Sequence, residues 1–147
     1  MDDPGQLITP QQAEAKAAAR YRVFLILWIA ILTSVGVLFA LAVFMPSSGA
    51  ANPTLSIALL GIGFLTVTIS LVLKQQMLKK AIETRQIAAL MNGYIVGFAL
   101  SESAALFGLL DHFLTGSGYY RFAFIIAALG MLVHFPKKEH LRAVSFK

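Results

Sequence analysis

Between Val23 and Met45 the chain runs for 23 residues without a charged side chain. As a helix rising 1.5 Å per residue, that run reaches about 34 Å, enough to cross a hydrocarbon core of roughly 30 Å. Three more apolar runs follow, at about 54–73, 87–110 and 119–135. A water-soluble domain of this length needs polar side chains to coat its surface, and they are missing. The chain is 58% hydrophobic and 13% charged, against about 25% charged in an average globular protein. Its mean hydropathy is +0.76. The composition therefore predicts an all-α integral membrane protein, a bundle of four transmembrane helices.

The first run is too long for a cleaved signal peptide, whose apolar region is about 7–15 residues. It reads as a helix retained in the membrane. Upstream, Met1 to Thr9 read as a polar, mobile lead. Thr9-Pro10-Gln11-Gln12 reads as a helix start. Threonine caps, proline suits the first helical position, and the glutamine three after the cap bonds back. The alanine-rich stretch to Arg20 is a good helix former that either lies along the membrane surface or runs straight into the first span. Pro46-Ser47-Ser48-Gly49 ends that span and Asn52-Pro53-Thr54 opens the second. Asp111-His112 is expected to end the third, Gly116-Ser117-Gly118 to turn the chain, and Pro136 to stop the fourth. The predicted organisation is a polar segment over 1–22 with a short amphipathic helix, a membrane domain over 23–135, and a basic tail over 136–147.

Arginine and lysine set the orientation. Lys16, Arg20 and Arg22 precede the first span; Lys74, Lys79, Lys80 and Arg85 join the second and third; Lys137, Lys138, Arg142 and Lys147 follow the fourth. Eleven of the 12 basic residues thus share one side, and Arg121 stands alone on the other. Basic loops stay on the cytoplasmic side, which predicts both termini cytoplasmic in what is expected to be a bacterial inner membrane. The net charge of +5 then belongs to topology and to contact with lipid headgroups through Lys74, Lys79, Lys80, Arg85, Lys137 and Lys138, rather than to nucleic acid. The lipid bilayer is the expected partner. Tyr119 and Tyr120 fit an aromatic belt on the Arg121 side, with Tyr21 and Trp28 on the other.

Glu102 is the one ionisable side chain well inside a span. It lies about 22 Å along the helix from Ile87 and about 12 Å from Leu110. A bare carboxylate there costs several kcal/mol, so the group is neutral, paired or beside water. Two readings follow: a proton or cation site built on Glu102 with Ser101, or a neutral glutamic acid bonded to a serine or carbonyl of a neighbouring helix. Around it Gly93, Gly97, Ser101 and Ala105 recur every four residues, with Gly108 on an adjoining row. Such a stripe lets another helix approach closely. Ser56, Gly63, Thr66 and Ser70 make a matching face on the second span.

Other chemistry is expected to be absent. The chain has no cysteine, which removes disulfides and thiolate chemistry. It shows no phosphate loop, no serine–histidine–acid set and no zinc spacing, so neither an enzyme, a metal site nor a cofactor is expected. His112 and His134 sit at opposite ends of their spans, and one subunit cannot clamp a haem between them. His140, in the tail, is expected to be solvated. Thr33 and Ser34 are expected to bond back to the preceding helical turn.

The stretch Gly97-Phe98-Ala99-Leu100-Ser101-Glu102-Ser103-Ala104-Ala105-Leu106-Phe107-Gly108-Leu109-Leu110 resembles the carboxylate helix of rotary ATPase proteolipids, the c-ring subunits. The cytoplasmic connector with Arg85-Gln86 is similar to the one that family carries before its helix. The resemblance covers one helix of four and implies that Glu102 carries a proton or sodium ion. The expectation is a non-enzymatic, oligomeric, channel-like or transport subunit centred on Glu102. The alternative is a structural or accessory subunit of a larger membrane complex.

Overall fold

The computed structural model describes residues 10–145, and within them the protein is all helix: α1 (Pro10–Phe44), α2 (Pro53–Thr84), α3 (Ile87–Thr115), α4 (Tyr120–Val133) and α5 (Lys138–Ser145). Three of these, α1, α2 and α3, are long and apolar enough to cross a membrane. The fourth is shorter: its 14 residues rise about 21 Å. Thr9, the expected first cap, and the lead before it lie outside the described residues, as does Lys147.

The helices run further than their apolar stretches. No break separates the alanine-rich stretch from the first span; α1 is one helix of 35 residues. The basic connector is likewise the continuation of α2, leaving a tight corner at Arg85, in the left-handed conformation with φ 53°, and Gln86. Asn52 caps α2 by accepting from Leu55 N–H, and Pro53 takes the first turn, where its missing N–H costs nothing. The third helix does not end at Asp111-His112 as the sequence suggested. It continues to Thr115 and stops at Gly116, whose φ of 59° suits glycine. Asp111 does not interrupt it because its carboxyl is bonded inside the protein, as described below.

At the centre stands α3, packed on all four other helices. Sequence neighbours α1 and α2 do not touch; α1 packs on α3, α4 and α5. The link Met45–Asn52 therefore crosses over the end of α3. Gly49 lies so close to Leu114 and Thr115 that a Cβ would overlap the Leu114 carbonyl, and a Cβ on Gly116 would come 2.6 Å from Ser47 Oγ. The row of small residues on α3 is what lets these helices approach. Gly93 rests on Met77 of α2, Gly97 lies under the His134 ring, Ala104 meets Gly63, and Gly108 meets Ala123 and Tyr120 of α4.

At the basic end α5 turns back against the bundle. Leu141 and Val144 join Phe24, Ala81, Leu90, Tyr94, Phe98 and Met131 in one apolar cluster. A second cluster, with Val35, Ala42, Val67, Ala104, Ala105, Tyr120, Phe124 and Ala127, fills the other half.

Candidate functional site

Apolar helices leave few places for polar side chains, and the described residues gather theirs at three depths. The middle one holds Glu102. With α3 extended, Glu102 is fifteen residues from Ile87 and thirteen from Thr115, about 22 Å and 20 Å along the axis. It is thus at mid-helix, rather than in the half nearer Asp111 where a shorter helix had put it. Ser34 of α1 donates to its Oε1 at 2.5 Å. This corrects the expectation for Ser34. Thr33 does bond back, to the Ile29 carbonyl at 2.8 Å, but Ser34 reaches across to α3.

Glu102 is half-buried. Its Oε2 makes no hydrogen bond, and no buried side-chain oxygen or nitrogen among the described residues is left without a partner, so Oε2 is open at the surface of the bundle. Successive helical residues point about 100° apart, and here that separates Glu102 from Ser101. Ser101 is fully buried, donates to the Gly97 carbonyl at 2.9 Å and faces Gly130 of α4. The structure does not bring Ser101 and Glu102 to one site. Arg121 does not reach Glu102 either; its Nε donates to Tyr120 Oη at 3.4 Å.

At the end away from the basic residues, Asp111 is only 2% exposed. Ser56 of α2 donates to its Oδ1 at 2.6 Å, Thr115 to the same oxygen at 2.7 Å, and Ser117 to Oδ2 at 3.0 Å. Three hydroxyls from three segments thus close around one carboxyl and tie the start of α2 to the end of α3. The adjacent His112 points elsewhere, its Nε2 2.9 Å from the Met45 carbonyl and its ring against Tyr120. Tyr120 is accordingly packed inside, while Tyr119 remains exposed.

At the basic end two histidines are built in. His134 is fully buried beneath Gly97, with Nδ1 2.7 Å from the Gly130 carbonyl and Nε2 3.3 Å from Ser70 Oγ. Ser70 donates to the Val67 carbonyl, and Thr66 to that of Gly63. His140 is not solvated as the tail position suggested. Its Nδ1 lies 2.7 Å from Tyr94 Oη, which also accepts the Lys137 N–H at 3.2 Å. Burial, helped by the Lys74 and Lys137 ammonium groups and opposed by Glu139, holds His140 below its ordinary value. Lys74 itself sits 4.7 Å over the Tyr94 ring, while Lys79, Lys80, Arg85, Lys137 and Lys138 are exposed. Lys138 lies over the Tyr21 ring, and Trp28 Nε1 donates to the Met131 carbonyl.

Sequence reasoning missed Ser34, the Asp111 hydroxyl set and the Tyr94–His140 bond. Depth gave a partial signal: Ser34 lies at the middle of the first apolar run, and Glu102 past the middle of the third. Among the described residues no three of histidine, cysteine, aspartate and glutamate gather as a metal would need. Comparison with protein-family models, with curated proteins and with solved structures finds no match.

Proposed function

We propose that this chain is a non-enzymatic membrane protein of four membrane-crossing helices that works as a homo-oligomer, with Glu102 the protonatable centre of a proton- or cation-handling, channel-like or transport subunit. The observation that carries this reading is the half-tied carboxyl at mid-helix. One oxygen is held by Ser34 and the other is open at the bundle surface. In a lone copy that second oxygen faces hydrocarbon, an unfavourable place for an unpaired polar group. A second copy or a water-lined path beside Glu102 would remove the penalty. The neighbouring inner positions Ser101, Ala104 and Ala105 are fully buried, which favours the outer side of the chain. The site is therefore read as shared between chains.

The basic end, with ten of the 11 arginines and lysines among the described residues, is read as cytoplasmic, in a bacterial inner membrane. In this reading α4 crosses despite its length. It packs along the middle of α3, from Gly108, which meets Tyr120, to Gly97, which meets His134.

The test is reconstitution into liposomes with proton and sodium flux measured for the wild type and for Glu102→Gln, beside the mass of the protein in mild detergent. The expected result is a multiple of one chain, and flux that Glu102→Gln lowers at least tenfold. A monomer with no wild-type flux would refute the proposal.

A second reading is favoured by the Ser34–Glu102 bond itself, which joins α1 to α3 without any traffic of ions. In it the chain is a structural or accessory subunit of a larger membrane complex. Glu102→Gln would then lower stability, and mild extraction would recover the chain with other polypeptides.

A further inference from the structure

Among the described residues Arg121 is the one basic residue away from the basic end, and none of their carboxylates pairs with it. It is exposed in the first turn of α4, its guanidinium 5.7 Å over the Tyr120 ring and only Nε engaged, at 3.4 Å with Tyr120 Oη. The nearest acid in sequence, Asp111, is closed off by its three hydroxyls. A guanidinium carries five N–H donors, and most of these are left pointing outward.

Directly beside Arg121 is a cavity of about 460 Å³ between α1 and α4. Its walls include Leu32, Gly36, Phe39, Ile125 and Ala128, and Arg121 is the sole polar residue lining it. Small residues, Gly36 on α1 and Ala128 on α4, leave the space unfilled. A Cβ built on Gly36 finds no atom within 4 Å, and across the groove stands Ala128. Phe39 and Phe124 bring the helices together on its wall, with ring centroids 5.2 Å apart. From Arg121 to Ala128 the groove runs about 10 Å along the helix axis, away from the end of the bundle and towards its middle.

A cation at the mouth of an apolar groove that opens beside the helix end fits one kind of molecule, an amphiphile with an anionic head and a hydrocarbon chain. The planar guanidinium fork suits a phosphate, which it can hold with two parallel N–H bonds. The volume lies in the range of small-molecule sites, about 300–1,000 Å³. We propose that this groove binds a phospholipid, its phosphate on Arg121 and one acyl chain laid between α1 and α4. The assignment is independent of what Glu102 does.

Native mass spectrometry of the detergent-purified full chain, titrated with phosphatidylglycerol, tests it. The wild type is expected to retain one lipid per chain. Arg121→Gln is expected to weaken retention about tenfold or more, the scale of a lost charge-assisted bond to phosphate. Gly36→Leu, which enters open space, fills the groove and is expected to weaken it as much; Ala128→Phe fills it from the α4 side. Helical circular dichroism and elution volume check that each variant is folded. No lipid retained by the wild type, or equal retention by Arg121→Gln and both groove-filling variants, overturns the proposal. Loss with Arg121→Gln alone would show a surface headgroup contact and overturn it too. So would loss with the groove variants alone, since the phosphate would then have no role.

Discussion

A serine and a glutamic acid on different helices meet near the middle of the first apolar run and of α3. Ser34 donates to Glu102 Oε1 across the α1–α3 contact, yet such bonds between membrane helices are modest because the unfolded chain in lipid also finds partners. Ser34→Ala is expected to cost about 1 kcal/mol. A double-mutant cycle with Glu102→Gln in chemical or detergent unfolding would check the pairing, and additive losses would show that the two residues do not interact. Asp111 is a different case. Its carboxyl accepts from Ser56, Thr115 and Ser117, so removing it leaves three hydroxyls to find new partners in a buried place. Asp111→Leu is expected to lower stability by about 3 kcal/mol, read in the same unfolding assay, with Asp111→Asn losing less.

At the level of the helix, close approach is what the small residues provide. An alanine at Gly97 would drive its Cβ into the His134 ring. Gly97→Ala is expected to cost about 2 kcal/mol, and His134→Ala in the same chain to recover part of it. Gly61, with open space around it, gives the contrast: Gly61→Ala is expected to be neutral or to stabilise by up to about 1 kcal/mol. The docking of α5 carries a pH dependence. Because His140 lies below its ordinary 6.5 in the docked state, the undocked helix binds the proton more readily. Docking is fully favoured above that ordinary value and is lost as pH falls through the lowered one. Amide-exchange protection in Leu141 to Val144, taken against the intrinsic rate at each pH, should fall on acidification below that ordinary value in the wild type and not in His140→Gln. Equal pH dependence in both would contradict this.

How much of this was legible beforehand follows from the same physics. Long uncharged runs and the clustering of basic residues are properties of the chain itself, so the helices and their small-residue face were readable. Pairings between helices were not. Ser34 was expected to bond its own helix because any helical hydroxyl has a carbonyl four residues back within reach. The end of α3 was set too early because Asp111 reads as a water-seeking residue until Ser56, brought by α2, closes on it. His140 read as solvated because nothing in the tail reveals that Leu141 and Val144 fold it onto Tyr94.

For the whole molecule, the arrangement is a central α3 on which α1 and α2 pack separately. The seam between α1 and α3 therefore reaches the surface, and Glu102 lies on it with Oε2 open. If Glu102 is the ion-handling centre, this carboxyl must be reachable from outside the chain and must exchange a proton. A hydrophobic carbodiimide attacks a protonated carboxyl in an apolar setting. Labelling in membranes across a pH series, with Glu102→Gln as the blank, measures both directly. The expected result is strong labelling that fades as pH is raised or sodium is added, and none in Glu102→Gln. Absence of labelling at every pH would mean that Glu102 is sealed by its partners, and the accessory-subunit reading would replace the ion-handling one.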